Sequence, residues 1–333
     1  MRPLSRTLLL PVFLGVFLAT TAQAQWTWTP QTGRWINLKR LPKETAELQM
    51  EFARSLLVAG EYDKAWRETE KFEQFYSESE FADENQFLRG EIRFAQGRYL
   101  DAAKAYQQLI AAHPETDLYD KAIAKQYEIG DALYARGQEK LKDKWALYKK
   151  RPLKRAIEVY SMVIDNQPFT PQAAEAQYKV GLCHYAREEY VEAAFEYRRV
   201  VEDYSASDWV DEASYGLAMC YYKDSLPPDY DQSPSQLAVE AVDTFVERYP
   251  NDERVPELQK MRGEMMERMA AHRLQIAQFY EKRREFKSAK IYYQVVVDQF
   301  AGTPAAEQAQ EWLAAHPGVN VGLKHLASAQ GNL

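Results

Sequence analysis

A small residue followed twelve positions later by an alanine recurs along the whole chain, and that spacing constrains the fold more than any single motif. It reads undisturbed at Ala53 and Ala65, Gly90 and Ala102, Gly181 and Ala193, and Ala277 and Ala289. Extra residues stretch it at Gly130 and Ala156 and at Ala218 and Ala238. The stretch Ala174 to Ser205 shows the unit in full, with Gly181 at position 8, Tyr190 at 17, Ala193 at 20, Tyr197 at 24 and Val200 at 27. Where two helices cross closely, a larger side chain would force the backbones apart, so small residues mark the crossing and an aromatic beside them fills the gap. Pro114, Pro168 and Pro250 then close second helices, because proline cannot continue the hydrogen-bond ladder.

These features resemble the tetratricopeptide (TPR) helix-turn-helix repeat. The expected fold is all-α: a TPR-type α-solenoid of about six repeats over residues 44–316, starting near 46, 83, 123, 174, 211 and 270. The shortest spacing is 37 residues, slightly above the roughly 34 of the bare motif. Two insertions interrupt it, at 138–153, where fourteen extra residues separate Gly137 from Ala156, and at 223–236, a Pro/Ser/Asp loop. The helix-rich stretch before repeat 6 extends a helix that stiffens the joint, and Pro304 to Ala315 suits a C-terminal capping helix. Residues 25–43 read as a Trp-rich extended arm, with Trp26, Trp28 and Trp35 packing on the first repeat or touching a partner. The tail, 317–333, is small, polar and aperiodic, which fits disorder.

Residues 1–24 read as a cleaved export signal. Arg2 and Arg6 precede the apolar run Leu8 to Ala19, and Ala22-Gln23-Ala24 offers a cleavage site before Gln25. The formal net charge of −7 becomes two units more negative once those arginines leave, which argues against a nucleic-acid surface. Cys183 and Cys220, the two cysteines, both fall at position 10 of adjacent repeats. Equivalent helices stand about 8–10 Å apart, beyond disulfide reach, so both are expected as buried free thiols.

Chemistry-bearing motifs do not stand out. None of the five histidines has a second His or Cys at metal-ligand spacing, and no nucleophile elbow, H-E-x-x-H or glycine-rich phosphate loop occurs. The expectation is no enzyme, no metal, no cofactor and no small-molecule substrate. What remains is surface. First-helix positions 5 and 12, seven residues apart, share one face across two turns. Those positions hold Phe87 and Phe94, Tyr127 and Tyr134, Tyr178 and Tyr185, Tyr215 and Tyr222, an aromatic ladder that either contacts a peptide or packs the repeats. In residues 140–155, Lys140, Lys142, Lys144, Lys149, Lys150, Arg151, Lys154 and Arg155 surround Trp145 and Tyr148. That cluster suits peripheral contact with anionic lipid or an acidic partner, and a solvated helical hairpin explains it as well.

The C-terminal third narrows the field. Phe245 to Pro250, then His272, Ala277, Phe279-Tyr280 and Lys282-Arg283, and the helix from Ala289 to Phe300 resemble the BamD family, the TPR subunit of the outer-membrane β-barrel assembly machinery. The resemblance implies a periplasmic scaffold, peripherally associated with the outer membrane, that binds unfolded barrel precursors and docks on the barrel assembly subunit. By that resemblance Gln278, Glu281, Lys282, Arg283 and Arg284 of repeat 6 form the docking surface. Family members are usually lipoproteins, and no cysteine stands near the cleavage site here. A general envelope TPR adaptor of the Tol-Pal or peptidoglycan-linked kind is the alternative.

Overall fold

The computed structural model describes residues 26–29, 34–37, 41–143 and 148–319. The expected signal segment, Lys144 and Trp145 of the basic cluster, and tail residues 320–333 lie outside the described residues. The chain divides into two compact units, residues 1–82 and 83–333.

In the first unit, β1 (Trp26–Thr29) pairs antiparallel with β2 (Arg34–Asn37), Trp28 opposite Trp35. Over these residues the segment expected as a plain extended arm is therefore extended and paired with itself. Helices α1 (Ala46–Val58) and α2 (Tyr62–Tyr76) follow, joined through Gly60 at φ 76. The Thr45 side chain caps α1 by accepting from Leu48 N, and Ala53 and Ala65 are both buried. Gln49 Nε2, fully enclosed, donates to the Glu68 carbonyl at 2.9 Å, tying the pair together.

In the second unit the pairs are α3 (Ala82–Ala95) with α4 (Tyr99–Ala112), α5 (Tyr119–Lys142) with α6 (Arg151–Asn166), α7 (Pro171–Ala186) with α8 (Tyr190–Asp203), α9 (Val210–Asp224) with α10 (Ser233–Arg248), and α11 (Val255–Lys282) with α12 (Phe286–Gln299). One contact recurs. A tyrosine on the second helix lays its ring on a glycine of the first, so tightly that a Cβ on Gly90 would sit 2.5 Å from Tyr106, one on Gly130 2.5 Å from Tyr160, and one on Gly181 2.6 Å from Tyr197. Tyr197 is clasped from its far edge too, 2.7 Å from a Cβ on Gly216 of the following repeat. Repeat 5 keeps the geometry with Ala218 and Phe245, both buried.

The insertions resolve differently from one another. At 138–153, among the described residues, α5 continues through Lys142, and Leu153 in the first turn of α6 is buried on Gly137. Leu153 supplies the apolar contact that makes a longer helix stable there. At 223–236 the helices encroach, leaving residues 225–232 as the loop between α9 and α10. That loop is pinned to α11: Arg268 donates to Ser225 Oγ at 2.7 Å and His272 Nδ1 donates to the Pro228 carbonyl at 2.5 Å. Helix α11, 28 residues and so about 42 Å long, is the stiff joint and the first helix of repeat 6 in one element. Helix α13 (Pro304–Ala315), capped by Thr303, closes the array; Trp312 stacks on Tyr293 at 4.4 Å.

Replacing Gly181 with Ala should destabilise the chain by about 1–3 kcal/mol, because Tyr197 is held from both sides and has nowhere to retreat. Gly263, exposed within α11 with nothing near its Cβ position, should gain roughly 0.5–1 kcal/mol from the same change. Urea unfolding of the two variants checks the contrast, and equal effects would remove the close contact as the cause.

Candidate functional site

The aromatic ladder lies in the second unit, and its rings are half-buried. Six of the eight lean on an aromatic of their own repeat. Phe87 meets Tyr106 at 5.1 Å, Phe94 meets Tyr99 at 5.3 Å, Tyr127 meets Tyr160 at 5.8 Å and Tyr178 meets Tyr197 at 5.6 Å. Tyr185 is edge-on to Tyr190 at 5.4 Å and Tyr215 to Phe245 at 6.4 Å. The position-5 rings Phe87, Tyr127 and Tyr178 therefore back the same tyrosines that sit on the glycines, while Tyr215 backs Phe245. Aromatic pairs at such distances contribute about 0.5–1.5 kcal/mol beyond area burial, so the ladder is part of the packing whatever else it touches.

The hydroxyls reveal an arrangement that sequence reasoning missed. Tyr222 donates to Glu264 at 2.5 Å, and Tyr215 faces Glu257. Tyr127, its hydroxyl fully enclosed, faces Glu175, and Tyr178 lies in the field of Glu212. In each case the carboxylate belongs to the first helix of the next repeat. Burial raises the Tyr178 and Tyr185 hydroxyls to about 12, with neighbouring carboxylates adding to the rise; Tyr127, Tyr134 and Tyr215 are also raised, by burial first. Tyr222 is raised chiefly by its bond to Glu264. All stay protonated donors at neutral pH.

Cations are set among these acids, Arg268 lying 5.9 Å from the Tyr222 ring. Lys179 Nζ lies 2.7 Å from Asp131, 3.1 Å from Glu175 and 4.5 Å above the Tyr127 ring, while Asp131 also accepts from Tyr160 at 2.6 Å. Arg254 reaches Asp252 at 2.8 Å, Glu212 at 2.9 Å and Asp211 at 3.6 Å, and its guanidinium lies 5.0 Å from the Tyr215 ring. Lys179 and Arg254 each serve more than one carboxylate, so the face keeps an acidic excess. Its chemistry is a set of ring faces beside carboxylates.

The expected docking surface is less open than its sequence implied. Lys282 and Arg284 are exposed, Arg284 at φ 61 in the turn after α11. Gln278 and Glu281 are half-buried, and Glu281 accepts from Tyr293 at 2.5 Å. Arg283 pairs with Glu285 at 3.1 Å and lies 5.3 Å from the exposed Phe279 ring. In the basic segment Tyr148 stands 79 % exposed, but Lys150 is turned inward onto the Arg187 carbonyl and Glu188. Arg187 in turn grips Glu189, which also meets His184 at 2.9 Å. Cys183 and Cys220 are buried free thiols, pushed up to about 12 by burial. No helix among the described residues is long and apolar enough to cross a membrane.

Paired helices crossing on small residues, in repeat after repeat, make this an all-α tetratricopeptide-type protein, and residues 84–116 match the TPR repeat itself. More narrowly, the chain belongs to the YfiO (BamD) family, described as outer membrane lipoprotein, whose profile matches residues 127–330. It is 22 % identical over 180 residues to the outer membrane protein assembly factor BamD of Caulobacter vibrioides. That match takes in 54 % of this chain and 56 % of the relative, so the chain spans about half of that protein's length. Among solved structures it is similar to a thermophilic TPR protein in Thermus thermophilus, at 16 % identity and TM-score 0.31, covering 67 % of this chain and 99 % of that one. It is similar as well to the C-terminal part of a TPR repeat-containing protein from Cytophaga hutchinsonii, at 16 % identity and TM-score 0.34, covering 80 % and 88 %.

Arg254 holds Asp252 at about 2, and Arg187 with His184 holds Glu189 at about 2, against ordinary carboxylate values near 4. A depressed folded-state pKa gives stability that is complete above about pH 4 and lost as pH falls toward 2. The urea midpoint should therefore drop between pH 5 and pH 2.5. In Arg254→Met three carboxylates lose their shared cation, so the variant should be weaker at pH 7 and lose less on acidification. Parallel curves for the two proteins would show that Arg254 does not hold this cluster.

Proposed function

We propose that this chain is a non-catalytic scaffold of the cell envelope that takes part in outer-membrane β-barrel assembly. On this reading it works in the periplasm, after removal of residues 1–24, and associates peripherally with the outer membrane. The observation that carries the proposal is the family match, which runs through the ladder-bearing repeats 3–5 and repeat 6 alike. The ladder from Phe87 to Tyr222 receives an extended, aromatic-containing segment of an unfolded barrel precursor, ring face to ring face. Repeat 6 meets the barrel assembly subunit through Lys282, Arg283 and Arg284, where exposed charge sets orientation and on-rate. Residues 140–155 add contact with anionic lipid; among the described residues Lys142, Tyr148, Arg151 and Lys154 are exposed toward it, while Lys150 is engaged by the Arg187 carbonyl and Glu188.

Capture of the barrel subunit from envelope extract tests the reading. The unaltered chain should bring it down, and Arg283→Glu with Arg284→Glu should reduce that capture about tenfold or more in a salt-sensitive way. Thermal unfolding should scarcely move, because exposed charges contribute little to stability. For the ladder, Tyr134→Ala and Tyr185→Ala should each weaken binding of a barrel-derived C-terminal peptide by on the order of 1 kcal/mol. The Phe replacements, which keep the rings, should retain most of it. Recovery of Tol-Pal components without the barrel subunit would favour the adaptor alternative instead.

A further inference from the structure

The turn joining α6 to α7 and the turn joining α8 to α9 stand on either side of a cleft of about 400 Å³, within the range of roughly 300–1,000 Å³ typical of binding sites. Phe169 forms one rim and is 93 % exposed. Trp209 forms the facing wall, its indole stacked on Tyr178 at 5.0 Å and 23°, so the cleft opens beside the ladder without including it.

The walls are fixed. Tyr204 Oη donates to the Pro168 carbonyl at 2.6 Å, bridging the two turns. Thr170 Oγ accepts from Ala173 N at 3.1 Å to cap α7, and Ser207 Oγ accepts from Trp209 N at 3.2 Å. A cleft built this way is formed before anything enters it, which lowers the ordering cost of binding.

Charge decides what enters. The lining holds no lysine or arginine, and its charged groups are Asp203 and Asp208. Arg199 approaches Asp203 at 3.6 Å from outside the lining, whereas Asp208 has no ion-pair partner among the described residues. The neighbouring wall continues into the acidic excess around Glu212 and Asp211. A second copy of a chain with net charge −7 would bring like charge to this place.

We propose that this cleft is a docking site for an extended segment of a partner protein, which seats one large apolar side chain between Phe169 and Trp209 and an adjacent Lys or Arg over Asp208. The site is distinct from the ladder and from repeat 6, and it stands whether or not barrel assembly is the chain's work.

The test uses the whole chain and three fluorescein-labelled Gly/Ser peptides of about ten residues: one with a central Leu-Arg pair, one with Leu-Glu, one with Ser-Arg, read by fluorescence anisotropy. The Leu-Arg peptide should bind in the micromolar range and the other two at least about tenfold more weakly. Phe169→Ser should weaken Leu-Arg binding about fivefold or more, with circular dichroism and thermal unfolding unchanged because the ring is already in water. Asp208→Lys should reverse the preference toward Leu-Glu, and Ala206→Trp, which fills the cleft without altering charge, should abolish binding. Absent binding of the Leu-Arg peptide, equal binding of Leu-Arg and Leu-Glu, or indifference to both Phe169→Ser and Ala206→Trp would overturn the proposal. A dimer in sedimentation that Phe169→Ser dissolves would overturn it in favour of a second copy.

Discussion

A tyrosine ring pressed against a glycine governs the second unit. At Gly90, Gly130 and Gly181 the first helix has no side chain, and Tyr106, Tyr160 and Tyr197 occupy the space a Cβ would need. The close approach fixes how the two helices of a repeat cross, because ridge-into-groove packing at short interaxial distance tolerates no larger group there. It also fixes what the other face presents. The aromatic three residues before each glycine, Phe87, Tyr127 or Tyr178, is backed by the same buried tyrosine. The ladder is therefore a consequence of the core contact, and its rings are pre-placed rather than free.

Between repeats a second device takes over, the phenol set against a carboxylate of the following first helix. Hydrogen bonds to charged groups contribute about 1.5–3 kcal/mol when well formed, and they are directional, so the Tyr222 bond to Glu264 constrains the register of α9 on α11 in a way that apolar contact does not. The cost is an accumulation of acid along one face. Lys179 and Arg254 offset it locally, each by binding several carboxylates and lying against tyrosine rings. Multiply coordinated cations of this kind hold better than simple surface pairs because the geometry is shared among several bonds.

The repeat architecture was legible in sequence because its cause is local: small residues twelve apart, a tyrosine four beyond the second, proline after the helix. Cys183 and Cys220 were legible for the same reason, since equal repeat positions put them on equivalent helices. Gly216 was missed because it lies two residues before the expected slot at Ala218 and serves the preceding repeat's Tyr197 rather than its own. Glu175 and Glu212 carried a faint signal, both being the second residue of a repeat. Glu257 and Glu264 carried none, since α11 is one uninterrupted helix whose first half has no repeat register. The segment at 138–153 misled because its charge reads as solvated surface, whereas Leu153 and Pro152 are buried at the start of α6 and Gly137 in α5. Of the expected docking residues, Gln278 and Glu281 are half-buried, and for Glu281 the cause, Tyr293 reaching across the helix pair, is a three-dimensional fact.

The same α11 explains where the acidic aromatic face ends. Its first half offers Glu257 and Glu264, seven residues apart, to Tyr215 and Tyr222, which are seven apart on α9, so the two helices run in step over two turns. Its second half is itself the first helix of a repeat, yet it carries Leu274 and Glu281 where repeats 2 to 5 carry rings. Leu274 is buried, and Glu281 turns to Tyr293 within its own pair. No further first helix follows among the described residues to supply a carboxylate, because α13 packs in that place and seals the end with Trp312 on Tyr293. The change from ring-lined to charge-bearing surface along the chain is thus set by one long helix that closes one pattern with its first half and begins another with its second.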